Sequence, residues 1–181
     1  ARAASDLQFL GLEIRGTTAT QELVIEDGSK VTARNEIRVG DRGIATLQGG
    51  KLASNRWVNV MEGGVLRGSG EVAASLMSAG ATEATGTIKV AGDYVERNNS
   101  ILTATLCAGE TPLRVDRTAR LAGTLSVTMA DGYRPSAGDS VSLLTAQEVV
   151  GKFANGGNQV SAGGARFKII YSSTSVVLTA Q

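Results

Sequence analysis

The chain has 181 residues, a formal net charge of +1 and 42% apolar residues, enough for one cored domain or two small ones packed together. Its 18 basic residues are spread without a cluster and its aromatics are only 4%, which argues against a nucleic-acid partner. No apolar run approaches the roughly 18 residues of a membrane-spanning helix, so no membrane span is expected.

At the N-terminus, Ala1-Arg2-Ala3-Ala4 suits the remainder of cleavage at a small-residue site, and an exported chain with its signal peptide removed is expected. Residues 7–14, Leu-Gln-Phe-Leu-Gly-Leu-Glu-Ile, form the most hydrophobic stretch with β character. Residues 1–16 are therefore read as an N-terminal strand or arm. It is either the first coil of the domain or a strand given to a neighbouring subunit.

Glycine then punctuates the chain at Gly28, Gly40, Gly43, Gly49-Gly50, Gly63-Gly64, Gly68 and Gly70. Between these lie QELVIE, KVTA, EIRV, GIATL, KLAS, RWVNV and GVLRG, each of strand length and too short for a helix. A shift of 21 residues lays Val31 on Leu52, Ile37 on Val58, Val39 on Val60, Gly43 on Gly64 and Ile44 on Val65. A shift of 20 then lays Leu52 on Val72. Short strands with glycine turns at this period predict a β-solenoid, whose stacked coils share one aliphatic core. Residues 17–86 are assigned to its rungs. The rival is a β-sandwich of hairpins. Residues 73–79 are the only helical candidate.

Residues 87–181 are read as the last rungs and a hairpin cap, continuous with the rest. Strands are expected at 88–91, 101–106, 113–115, 119–129, 168–171 and 175–178. The segment 121–146 places alternating apolar runs on both sides of a Gly132-to-Asp139 corner, and is expected to fold as a hairpin over the solenoid's end. Such an end is an exposed sheet edge that invites pairing.

Several runs carry a resemblance: Gly-Ser-Gly-Glu-Val (68–72), Gly-Thr-Ile-Lys-Val-Ala-Gly-Asp-Tyr (86–94), Leu-Arg-Val (113–115), Ala-Arg-Leu-Ala-Gly-Thr-Leu-Ser-Val (119–127), residues 132–146 and Val-Gly-Lys-Phe (150–153). Together they resemble the end of autotransporter passenger-like β-helices of bacterial surface proteins, over roughly residues 40 to 180. The resemblance implies an all-β chain: a short right-handed parallel β-helix with a C-terminal β-hairpin cap. It transfers no catalytic residue. The chain departs from that family in its shortness and in lacking the many strands of about ten residues that a membrane barrel needs.

Motifs with chemical meaning are few. Gly68-x-Gly70-x-x-Ala73 matches a dinucleotide fingerprint on paper, but a βαβ unit is missing, so the glycines are read as coil corners. Glu36, Asp41 and Glu62 lie near turns, and Asp41 and Glu62 are 21 apart and so stack on adjacent coils. Such a pair can serve as acid and base, although solvated turn residues are the commoner case. Gly63-Gly64 and Gly163-Gly164 lack the Asp of a calcium repeat. With no His and one Cys, no metal or cofactor is expected, and Cys107 is read as a small buried hydrophobe. Arg114, Arg117 and Arg120 alternate along extended chain, and Asn98-Asn99-Ser100 is read as a loop.

These features predict a structural protein rather than an enzyme. It is expected outside the cell or on a bacterial surface, associating with itself head to tail by strand addition. Leu7, Phe9, Leu10, Leu12 and Ile14 are the expected contacts. A carbohydrate-binding or adhesive module is the alternative, with surface glycans bound at Trp57, Tyr94 and Tyr133. A polysaccharide lyase or hydrolase is the third reading.

Overall fold

The computed structural model describes residues 2–3 and 5–181; Ala1 and Ala4, within the expected cleavage remnant, lie outside the described residues. The chain is a parallel β-helix of about six turns. Three sheets run along it, and each turn contributes one short strand to each sheet.

Sheet A stacks β2 (Leu7–Phe9), β5 (Lys30–Ala33), the middle of β7 (Gly43–Val60), the middle of β8 (Val65–Ser78), the end of β9 (Ala81–Val90), β12 (Leu113–Val115) and β15 (Ser140–Thr145). Sheet B stacks β3 (Leu12–Ile14), β6 (Ile37–Val39), the ends of β7 and β8, β10 (Tyr94–Glu96), β13 (Thr118–Leu121) and β16 (Glu148–Gly151). Sheet C stacks β1 (Arg2–Ala3), β4 (Gln21–Glu26), the starts of β7, β8 and β9, β11 (Ile101–Leu106) and β14 (Thr124–Met129). All these pairs are parallel, so the sandwich alternative does not form.

The expected apolar stacking pairs are in register: Val31 on Leu52, Ile37 on Val58, Val39 on Val60, Ile44 on Val65 and Leu52 on Val72. The cause is the two-residue side-chain period. Positions 31, 52, 72, 90 and 115 of sheet A all point inward, and each is a buried aliphatic. A coil this narrow has room for aliphatic side chains and little else, which accounts for the scarcity of rings.

Two expectations need correction. Residues 73–79 are not helical, because β8 runs through Ser78 and Leu76 fills the core from sheet B. The fingerprint glycines lie inside β8 where it passes from sheet C to sheet A, and so are coil corners as expected. Gly68 has φ +104°, and a Cβ there would stand 2.0 Å from the Leu47 carbonyl oxygen, so close rung stacking requires glycine.

The segment 121–146 is not a hairpin either. β14 pairs in parallel with β11 and β15 with β12, so the corner between them carries the chain from sheet C to sheet A of the next coil. A cap does form at the C-terminus, from other strands. β17 (Gln159–Ala162), β18 (Ala165–Tyr171) and β19 (Ser175–Ala180) make an antiparallel meander, and β19 pairs antiparallel with β15. The pairing of 168–171 with 175–178 is as expected, and Phe167, Ile169, Val176 and Leu178 seal the core beneath it.

Candidate functional site

The two ends of the solenoid differ. At the C-terminal end the meander occupies the free edge of β15. Asn155 closes sheet C: its Nδ2 donates to the Leu125 carbonyl at 2.9 Å, and the Leu125 N–H donates to its Oδ1 at 2.9 Å. The side-chain amide thus stands in for the next strand.

At the N-terminal end, among the described residues, β2 and β3 pair on one side only, with β5 and β6. A hollow of about 310 Å³ opens there, lined among others by Leu7, Phe9, Leu12, Ile14 and Leu23. Of the residues expected to mediate association, Ile14 is buried, Leu7 and Leu12 are half-buried, Phe9 is 37% exposed and Leu10 is 72% exposed. Phe9 stacks on the buried Ala33 and has no rung above it among the described residues.

The interior holds a polar cluster that the sequence patterning did not reveal. Ser78, Thr82, Tyr94 and Glu96 occupy inward positions between aliphatic rungs, all buried. Tyr94 is wholly buried, with Ala119 stacked on it in sheet B. Its hydroxyl donates to Glu96 Oε1 at 3.0 Å. Glu96 Oε2 accepts from the N–H groups of Ala122 and Gly123, both at 3.1 Å. The carboxyl of one coil therefore fastens the B-to-C corner of the next.

Burial raises the Glu96 carboxyl to a pKa of about 7, partly offset by those three hydrogen bonds. Burial, followed by the nearby Glu96 charge, pushes the Tyr94 hydroxyl up. The available signal was the Tyr-Val-Glu alternation itself, which puts residues 94 and 96 on one side of a strand. It was obscured because the spacing shrinks to 18 between Leu76 and Tyr94 and widens to 25 between Tyr94 and Ala119.

The burial of Tyr94 removes it as a glycan platform. Trp57 is half-buried beside Ser75 in sheet B, and Tyr133 is half-buried in the 130–139 corner. Among the expected acids, Glu36 accepts from Asn59 Nδ2 at 2.8 Å and pairs with Arg38. Asp41 and Glu62 do occupy the same corner on adjacent coils, both exposed. Cys107 is half-buried just past the end of β11, outside the core positions filled by Leu102, Ala104 and Leu106. Arg114, Arg117 and Arg120 fall on sheet A, the A-to-B corner and sheet B respectively, all exposed. Ser100, in the polar loop, is buried with its hydroxyl donating to the Arg97 carbonyl at 2.8 Å.

On the outer surface, Glu22 accepts from Thr46 Oγ1 at 2.5 Å and from Arg67 Nη2 at 2.9 Å, linking three successive coils. These bonds lower the Glu22 pKa, the Thr46 bond contributing most.

No protein-family model matches the chain, and no curated protein matches its sequence.

Proposed function

We propose that the chain is a structural subunit of an extracellular or bacterial surface assembly, related in kind to autotransporter passenger-like β-helices, and that it associates with itself through its N-terminal rung. The observation that carries this reading is the open end. Among the described residues, the outer edges of β2 and β3 have no strand partner, and they surround an apolar hollow beside the exposed Phe9 and Leu10. Burying exposed apolar surface and satisfying edge N–H and C=O groups both favour a partner. The other end offers Val150 and Ile170, 37% and 44% exposed, as an apolar counterpart for a head-to-tail fibre.

The test is sedimentation velocity with negative-stain microscopy on the chain and its Leu10→Lys and Ile170→Lys variants. Both positions are exposed, so each variant folds. The expected result is concentration-dependent fibres that both substitutions abolish. If only Leu10→Lys acts, two N-terminal ends meet as a closed dimer. A chain that stays monomeric at high concentration overturns the reading.

A further inference from the structure

The basic residues look scattered along the sequence, yet the coil register collects several of them. Lys30 stacks on Lys51, Lys51 on Glu71, Glu71 on Lys89 and Lys89 on Arg114, all on the outer side of sheet A. Lys30 and Arg114 are four rung steps apart, roughly 19 Å at the ordinary strand spacing of about 4.8 Å. Arg34 and Arg56 stand exposed at the corner that follows this sheet on neighbouring coils.

Some of this charge is compensated. Lys51 pairs with Glu71 at 2.9 Å and Lys89 with Asp116 at 3.2 Å. Lys30, Arg34, Arg56 and Arg114 have no ion-pair partner among the described residues. The neighbouring outward column is small and flat, with Ala53 stacked on Ala73 and Thr32 beyond it. No aromatic ring of this face offers a base a stacking platform.

We propose that the outer face of sheet A binds a linear anionic polysaccharide, a polyuronate, lying along the solenoid axis. Four of the five rungs of this column carry a cation, Glu71 on the middle rung is held by Lys51, and the uncompensated Lys30 and Arg114 stand at the two ends with Arg34 and Arg56 at the adjoining corner, so carboxylates spaced along an extended chain meet positive charge at several rungs. The small column beside them lets the polymer lie close. Long-range attraction of this kind steers the polymer and is screened by salt. This surface is separate from the N-terminal end, so the proposal does not depend on self-association.

The experiment titrates the chain with polygalacturonate at 20 mM and 200 mM salt, beside a neutral glucan and a single-stranded oligo-dT. It uses the wild type, a Lys30→Glu/Arg114→Glu variant, and an Arg166→Glu/Lys168→Glu variant with the same charge change on the cap. The expected result is polyuronate binding that weakens with salt, drops about tenfold or more in the sheet A variant and stays within about twofold in the cap variant. Equal loss in both variants overturns the proposal by reducing it to net charge. It falls likewise if the glucan binds as well, if oligo-dT binds more tightly, or if no polyuronate binds at 20 mM salt.

Discussion

The Gly123 N–H donates to Glu96 Oε2 at 3.1 Å between adjacent coils of the solenoid, inside the core. That bond joins a titrating carboxyl to a corner that only glycine fits, and each partner leads to a separate prediction.

The first concerns pH. Burial puts the folded Glu96 pKa at about 7, above its ordinary value of 4.5. A raised carboxyl contributes stability that is fully present below 4.5 and is lost as the pH rises through 7. The full contribution is about 3 kcal/mol. Tyr94 and Tyr171 are the titratable groups that sense this carboxyl, and neither ionises near neutrality, since burial raises both. The chain has no His, so no imidazole titrates in this window. Urea unfolding between pH 5 and pH 8 will show declining stability in the wild type. Glu96→Gln keeps an acceptor for the two N–H groups and a donor for Tyr94, and will flatten the decline. Identical pH profiles for the two proteins would remove Glu96 as its source.

The second concerns Gly123. A Cβ at this position would stand 2.2 Å from Ser100 Oγ and 2.5 Å from the Ser100 carbonyl oxygen. Gly123→Ala will destabilise the chain by about 1–3 kcal/mol, the usual cost of forced overpacking. Adding Ser100→Ala removes the hydroxyl and leaves the backbone oxygen in place. The double variant will therefore recover little, and full recovery would show that the side chain alone sets the limit.

How far the fold could be read in the sequence depends on one physical fact. Inward positions must be apolar and corners must be tight, so register is written wherever coils keep a constant length. From Lys30 to Ala73 the coil length stays at 20 to 21, and the pairs Val31–Leu52 and Val39–Val60 were legible. From the Val58–Leu76 step on, the coils shorten to 18 and then lengthen to 25, and the interior Tyr94–Glu96 pair was lost with the period. The 121–146 segment misled for a related reason. Two alternating runs around an Asp-Gly turn look alike whether the second strand pairs back on the first or moves to the next sheet. The parallel pairing of β14 with β11 and of β15 with β12 decides it. The column of cations on sheet A was invisible because coil register, and not sequence proximity, assembles it.

The third prediction tests the seal at the C-terminal end. Asn155 supplies both hydrogen bonds that a following strand would have given Leu125, at 2.9 Å each. Asn155→Ala leaves a backbone N–H and C=O without partners at a place where Leu125 itself is buried. Leaving such groups unmet costs about 1–3 kcal/mol each at full burial. Asn155→Asp keeps the acceptor but sets a carboxylate against the Leu125 carbonyl, so it will not restore stability. Chemical denaturation of the three proteins measures this, and wild-type stability in Asn155→Asp would show that the Leu125 carbonyl needs no donor.

The fourth concerns where the solenoid opens first. In a stack of coils each rung is held by its neighbours, so an end rung is held from one side only. The C-terminal rung escapes this through β19 and Asn155, whereas β2 and β3 have no such cover among the described residues. Amide exchange in dilute solution will therefore be fastest at residues 7–14 and slowest in the middle of the coil, around Leu47, Leu52 and Leu66. The protection in β14 will stay well above that in β2. Raising the protein concentration adds a second reading. If copies cover the N-terminal edge, protection at residues 7–14 will rise while that of the central rungs stays constant. A gradient that is equal at both ends would mean that the meander adds no hold on the rung beneath it.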